Sequence, residues 1–231
     1  MKRFYRTAAV AKHDAGYALT LDGRPVQTPA DNPLAVPTAA LAEAIRAEWE
    51  AQGDTIDPAS LRFTRLANTA IDRVRARRAE VIEEVARYAE TDLLCYRAPE
   101  PGELVERQRA GWQPLLDWLA RRYDTALAVT DTVVPAPQPP NAIAALRRAV
   151  ARFDDFTLTA LHMVTAAAGS LVIALAVAED EIAAERAFEL SQLDETFQTE
   201  QWGEDAEAAA RRAAVRADLL TAARFMELCR A

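Results

Sequence analysis

One uncharged stretch limits the possible folds of this chain more than any other segment. Residues 156–178, FTLTALHMVTAAAGSLVIALAVA, carry no formal charge and are long enough to span a bilayer. Their threonines and serine, their weakly hydrophobic alanines and the acidic flanks without a basic anchor argue against that placement. A helix that is apolar all round also suits the centre of a helical bundle, so we predict one buried central helix. A membrane-associated protein that uses residues 156–178 is the alternative.

The composition narrows the class of partner. The chain has 231 residues, of which 51% are hydrophobic and 7 are Gly, so it can bury a sizeable core. Its net charge of -8 disfavours binding to nucleic acid, because contacts to phosphate need a basic face. The two cysteines, Cys95 and Cys229, lack CxxC spacing and predict neither a disulfide framework nor a zinc site.

The N-terminal part has β-strand patterns followed by one helix. Residues 16–28 alternate apolar with small or polar residues and then turn at Asp22-Gly23, a pair typical of tight hairpins. Thr38 is placed to cap a helix that runs to Gly53. Leu41, Ile45 and Trp49 share one stripe of this helix, so we predict that Trp49 packs inward.

The remaining chain has mostly helical patterns. Residues 126–140 alternate β-branched residues and then turn to proline, which predicts a connector rather than a domain boundary. We therefore predict an α+β protein. A β-rich N-terminal domain with one helix spans residues 1–60, and an all-helical domain spans residues 61–231.

The residues give little support for catalysis. No nucleotide-binding or nucleophile-elbow pattern is present, and His162 lacks the glutamate three residues earlier that a dimetal bundle needs. His162 is predicted to be a hydrogen-bonded core histidine and Cys95 a buried structural cysteine. We predict no catalytic residue, no metal site and no cofactor.

The acidic stretch at residues 194–207, DETFQTEQWGEDAE, is the strongest candidate for a functional surface. On a helix that begins near Glu181, Phe197 would face the core. Glu195, Thr199 and Trp202 would share a different face, with Gln198 alongside. Asp194 with Gln198 offers a carboxylate beside an amide, which is a poor acid and base pair. From the residues alone, a protein-contact face and an exposed helix end with Trp202 packed under Gly203 stay equally open.

A series of segments resembles a known family. The segments, in chain order, are RFYR, LDGRPVQTPA, LAEAIRAEWEAQ, TRLANTAID, ETDLLCYRA, RQRAGWQPLLDW and LSQLDETFQTEQWG. They extend from residue 3 to about residue 207. They are similar to the family of ATP synthase assembly chaperones that act on the alpha subunit of the soluble catalytic head.

The resemblance implies a chaperone that is not an enzyme and that shields the alpha subunit until the beta subunit displaces it. Within the family pattern, Trp49 and Glu195 match positions important for function, Trp49 by fixing its domain and Glu195 at the contact surface. We expect Asp194, Gln198 and Trp202 to join Glu195 in partner binding and Phe197 to support them. A helical-bundle enzyme or ligand-binding protein that uses the acidic cluster is the competing hypothesis.

The resemblance also bears on location. Mitochondrial members of the family carry a targeting extension, and this chain begins directly with predicted folded protein. We therefore expect a bacterial, cytoplasmic member that acts as a monomer, without stable insertion into a membrane.

Overall fold

The computed structural model describes residues 1–132 and 136–231, and its contacts divide the chain into two compact units. The first comprises Met1–Arg78, Asp154–Ala160 and Arg224–Ala231, and the second comprises Ala79–Phe153 and Leu161–Ala223. The predicted α+β class is confirmed, since a small antiparallel sheet precedes a long series of helices. The division into domains at residues 60 and 61 stays a prediction.

The sheet of the first unit is built around one central strand. The four strands are β1 (Ala8–His13), β2 (Gly16–Leu21), β3 (Arg24–Pro25) and β4 (Ala35–Val36). Strand β2 pairs antiparallel with each of the others. The predicted turn between β2 and β3 is confirmed, because Asp22 and Gly23 have φ angles of 49° and 79°, as a tight primed turn requires.

The first helix, α1 (Ala39–Glu50), begins at the predicted cap. The backbone N–H of Leu41 donates to the Thr38 hydroxyl over 3.2 Å. The predicted inward stripe is confirmed, since Leu41, Ile45 and Trp49 are all buried. The helix ends at Glu50, three residues before the predicted end at Gly53, and Ala51 is its C-cap, with a φ of -70° and a ψ of -7°.

The later elements are helical, as the sequence predicts. The α-helices are α2 (Arg62–Thr69), α3 (Arg78–Arg87), α4 (Gly102–Tyr123), α5 (Pro140–Val150), α6 (Asp155–Ala168), α7 (Leu171–Ala178), α8 (Ala184–Ser191), α9 (Leu193–Trp202) and α10 (Ala206–Arg230). Short π-helical and 3-10 turns lie at Ala70–Val74, Tyr88–Thr91 and Leu93–Cys95. Residues 133–135 of the predicted connector lie outside the described residues, and its described parts are not helical before Pro140.

The prediction of one central helix over residues 156–178 is wrong in one respect. Gly169, with a φ of 66°, ends α6, and Ser170 caps α7 by accepting from the backbone N–H of Ile173. Every residue of α7 is buried, as expected for its apolar sequence. No helix within residues 1–132 and 136–231 is long and apolar enough to cross a membrane.

The single helix predicted from Glu181 onward is also interrupted. Helix α8 ends at Ser191, and α9 begins anew at Leu193 after Gln192, whose φ of -111° and ψ of 21° are not helical. A third helix, α10, follows Gly203, whose φ is 84°. The acidic stretch therefore occupies a short helix and its exit rather than the end of a long helix.

Candidate functional surface on helix α9

Helix α9 belongs to the second unit and packs within that unit through its apolar side. Phe197 is buried, as predicted, and the Arg107 guanidinium of α4 lies over its ring at 5.2 Å from the centroid. The same guanidinium donates to Glu200 over 2.6 Å and to Glu103 over 2.7 Å. The cation over the Phe197 ring and the charged hydrogen bond to Glu200 hold one side of α9 against α4, while the Glu103 bond within α4 orients the guanidinium.

The opposite side of α9 is exposed. Glu195, Gln198 and Trp202 follow one another at three- and four-residue spacing and therefore share a face of the helix. Trp202 is 79% exposed. Over the described parts of the chain, no hydrogen bond or ion pair involves these three side chains. We call these three residues the α9 face.

Asp194 does not belong to the α9 face. It is half-buried, and its Oδ1 accepts from Nε2 of Gln108 over 2.8 Å. Burial raises the pKa of Asp194, while the Gln108 hydrogen bond and the charge of Arg97 oppose that rise. Asp194 is thus bound to α4 and is placed to position α9, and its expected contact with a partner stays a prediction.

The network around Asp194 continues to Arg97. The Arg97 side chain donates to the carbonyl of Leu94 over 2.9 Å and to the carbonyl of Gln108 over 2.8 Å. Its guanidinium lies over the Trp112 ring, whose indole N–H donates to the carbonyl of Leu190 over 2.9 Å. Sequence reasoning missed this network, because it joins segments about 90 residues apart that carry no joint pattern.

Two of the six carboxylates in residues 194–207 form ion pairs within the described residues. Glu200 pairs with Arg107, and Glu204 lies 3.5 Å from Arg212. Asp205 begins α10 by accepting from the backbone N–H of Ala208 over 2.8 Å. Glu195 forms no ion pair within the described residues and lies about two helical turns from the exposed Trp202 on the same face, a combination suited to recognising a protein surface.

The seat of α9 depends on a glycine in α4. A Cβ atom added at Gly111 would lie 3.0 Å from a Leu190 methyl group and 3.2 Å from a Leu193 methyl group. A side chain at this position would force these methyl groups to shift, so glycine suits the close approach of α4 to α8 and α9.

Gly111→Leu is expected to lower the free energy of unfolding by about 1–3 kcal/mol, because the larger side chain overpacks this contact. Urea denaturation measures the change. The matched control is Gly102→Leu on the same helix, where an added Cβ meets nothing within 4 Å. Equal stability of the two variants would contradict the tight seat.

The residues considered for catalysis are not arranged for it. Cys95 is buried, and burial raises the pKa of its thiol to about 12, so the reactive thiolate is suppressed. His162 is not the predicted core histidine, since its side chain is 42% exposed and lies 3.7 Å from Glu84. It is only partly buried because it lines a shallow cavity of about 370 Å³ beside Tyr88. Over the described ranges, no cluster of three or more His, Cys, Asp or Glu side chains could hold a metal ion.

Comparisons with known proteins agree with this description. The family model described as ATP12 chaperone protein matches residues 2–120. The mitochondrial protein atp12 of Schizosaccharomyces pombe is 24% identical over 214 residues, which are 87% of this chain and 74% of that protein.

Solved structures extend the similarity to nearly the whole chain. The crystal structure of Atp12 from Paracoccus denitrificans is 43% identical, with a TM-score of 0.95 over 99% of this chain and 98% of that one. A crystal structure from Agrobacterium tumefaciens is 41% identical, with a TM-score of 0.92 over 98% of this chain and 85% of that one. The chain therefore belongs to the ATP12 chaperone family, whose members act in the assembly of ATP synthase and are not enzymes.

Proposed function

We propose that this chaperone binds the free alpha subunit of the F-type ATP synthase and covers the surface that later contacts the beta subunit. The observation that carries the proposal is the α9 face, where an exposed Trp202 and a Glu195 without an ion pair in the described residues share one face of a helix whose other side is fixed. Membership of an assembly chaperone family and the resemblance of the LDETFQ segment to a functional motif support it.

The physical need for such a chaperone follows from the nature of the client. A subunit that will be buried in a hexamer exposes a large, partly apolar interface while it waits alone, and such a patch associates wrongly. A chaperone that covers the patch must bind more tightly than the client binds itself and less tightly than the beta subunit does. Displacement by the beta subunit then needs no consumed nucleotide.

The α9 face is suited to reversible binding of this kind. The Trp202 ring supplies an apolar anchor, and the Glu195 carboxylate supplies a charge that steers the encounter and sets the register. Gln198 adds a donor and an acceptor between the two. Because Phe197, Arg107 and the Asp194 network already hold α9, little ordering entropy is lost when a partner binds.

Glu195→Lys is expected to weaken alpha-subunit binding at least about tenfold, because it places a cation where the partner requires a carboxylate. Its melting temperature should be unchanged, since the Glu195 side chain is exposed and makes no intramolecular ion pair within the described residues. Affinity capture of co-expressed alpha subunit, followed by a chase with beta subunit, measures binding and release together.

The control for this variant is Glu181→Lys. Glu181 is also exposed in the second unit, and its side chain has no ion pair in the described ranges, so it carries the same charge change away from the α9 face. Equal loss of alpha-subunit capture by Glu195→Lys and Glu181→Lys would show that the loss comes from the change in net charge and not from the α9 face. If the wild-type chain captures no alpha subunit, the proposed function itself fails.

We also propose that this encounter takes place in the bacterial cytoplasm. The proposal is supported by the similarity to solved proteins of Paracoccus denitrificans and Agrobacterium tumefaciens. The curated relative from yeast is mitochondrial, as its name states.

A further inference from the structure

The first unit contains a groove that the proposed α9 contact does not use. It has a volume of about 610 Å³, within the range of roughly 300–1,000 Å³ that ligand sites occupy. Its apolar lining is formed by Met1, Phe4, Tyr5, Leu21, Val26 and Trp49. Its polar lining includes Arg24 and Asp22.

The groove has a rigid floor. The Tyr5 ring packs on the Trp49 ring with centroids 5.6 Å apart, and the Tyr5 hydroxyl donates to the Trp49 carbonyl over 2.6 Å. Both residues are buried. The cavity is therefore preformed, which lowers the entropic cost of binding.

The rim of the groove exposes large apolar side chains. Phe4 is 64% exposed and Met1 is 76% exposed. Phe4 is held edge-on to Tyr5 with centroids 5.4 Å apart. An ordered aromatic ring left in solvent beside a concave surface is a feature of binding sites rather than of an inert surface.

The charged side chains that line the groove are Arg24 and Asp22. Arg24 is exposed and makes no ion pair within the described residues. The Asp22 carboxylate is already engaged, because it accepts from the backbone N–H groups of Arg6 and Thr7 over 3.1 and 2.9 Å.

We infer that this groove binds an extended, acidic segment of the client protein through one large apolar side chain of that segment. The apolar side chain would lie against Phe4 and the floor formed by Tyr5 and Trp49, and a carboxylate beside it would pair with Arg24. A carboxylate of the segment complements Arg24, the one lining cation, whereas a basic segment would offer Arg24 no partner. This inference deepens the proposed function and rests on it for the identity of the client.

A peptide titration tests the groove without the client. The probe is a fluorescein-labelled peptide of sequence Asp-Glu-Phe-Leu-Asp-Glu, and its counterpart is Lys-Lys-Phe-Leu-Lys-Lys. Fluorescence polarisation with the full chain should show saturable binding of the acidic probe and none of the basic one. Arg24→Glu and Phe4→Ser should each weaken binding of the acidic probe at least about tenfold, since each removes one of the two recognition groups.

Lys12→Glu is the matched control, because Lys12 is an exposed cation of the same unit that does not line the groove. It should bind the acidic probe as the wild type does. Absence of binding by the wild type, or equal binding by Phe4→Ser and the wild type, would overturn the inference. Melting temperatures of Phe4→Ser and Arg24→Glu should stay close to that of the wild type, since both side chains are exposed.

A second arm tests the client. Co-expressed alpha subunit should be captured less well by Phe4→Ser than by the wild type. Capture by the wild type with no loss in Phe4→Ser would overturn the groove as a client surface while the proposed function stands. Failure of capture by the wild type, with the acidic probe still bound, would overturn the proposed function and the client identity together.

Discussion

The Trp49→Arg variant is expected to lose more than about 4 kcal/mol of folding free energy. Removing a buried tryptophan costs about 3–5 kcal/mol, and an unpaired guanidinium in its place adds a desolvation penalty. Since single domains are stable by only about 5–15 kcal/mol, much of this protein should unfold or aggregate. Soluble yield and urea denaturation at neutral pH measure the loss.

The size of this effect follows from what Trp49 holds together. Its indole N–H donates to the Thr64 hydroxyl over 3.1 Å, and that hydroxyl donates to the Glu48 carboxylate over 2.8 Å. Glu48 also accepts from the backbone N–H groups of Phe63 and Thr64 over 2.6 and 2.9 Å and so caps helix α2. Losing Trp49 therefore removes a core side chain and disturbs the start of the next helix.

Two further variants separate the contribution of Trp49 burial from that of its hydrogen bond to Thr64. Trp202→Arg makes the same substitution at a tryptophan that is 79% exposed, and its stability should change by no more than about 0.5 kcal/mol. Trp49→Phe keeps most of the ring volume and loses the bond to Thr64, so an intermediate loss is expected. Normal stability of Trp49→Arg would contradict a structural role for Trp49. Its only remaining role would then be to line the groove of the first unit.

The features predicted correctly from sequence are those with local causes. The Asp22-Gly23 turn follows from the positive φ angles that this pair accepts, and helix α1 follows from the Thr38 cap and the stripe that ends at Trp49. Each signal is complete within a few consecutive residues. No distant contact has to be known to interpret it.

The break in the apolar stretch was missed although its signal is present. Gly169 and Ser170 are a helix-ending residue and a helix-capping residue in succession. The residues on both sides of this pair are uniformly apolar, and this pattern predicted one continuous helix despite the helix-ending glycine and the capping serine. The buried acceptor that stabilises the break, Asp92, lies 78 residues earlier and could not be assigned to it from spacing.

The candidate surface divides in the same way. The exposed face of Glu195, Gln198 and Trp202 follows from helical spacing, which sequence reasoning used. The separate environment of Asp194 depends on Gln108, which lies 86 residues away along the chain. Tertiary packing decides whether a carboxylate is exposed to solvent or bonded to a buried amide. Helical periodicity carries no information about that packing.

Asp92→Ala is expected to cost about 3–5 kcal/mol of folding free energy, the second large effect. Asp92 is fully buried and accepts from the Ser170 hydroxyl over 2.7 Å and from the backbone N–H groups of Val172 and Leu94 over 3.0 and 3.1 Å. Alanine would leave these donors buried without a partner, at about 1–3 kcal/mol each before relaxation. Chemical denaturation of the variant beside the wild type measures the cost.

The same carboxylate gives a pH dependence with a definite sign. Burial raises the pKa of Asp92 to about 6, although its hydrogen bonds from Val172, Ser170 and Leu94 act in the opposite direction. In the unfolded chain the carboxyl has an ordinary pKa near 3.8. The folded protein therefore binds the Asp92 proton more tightly than the unfolded chain does. The stabilisation that this protonation contributes is complete below about pH 4 and is lost as pH rises through about 6.

Asp92→Asn isolates this contribution, because asparagine has nearly the same shape and does not titrate. The stability of the wild type minus that of Asp92→Asn should fall by about 3 kcal/mol between pH 4 and pH 7, at about 1.4 kcal/mol for each unit of pKa difference. Other carboxylates titrate alike in both proteins and cancel in the difference. A difference that stays constant over this range would show that Asp92 remains ionised in the folded state, in which case the donors at the start of α7 outweigh the cost of burying its charge.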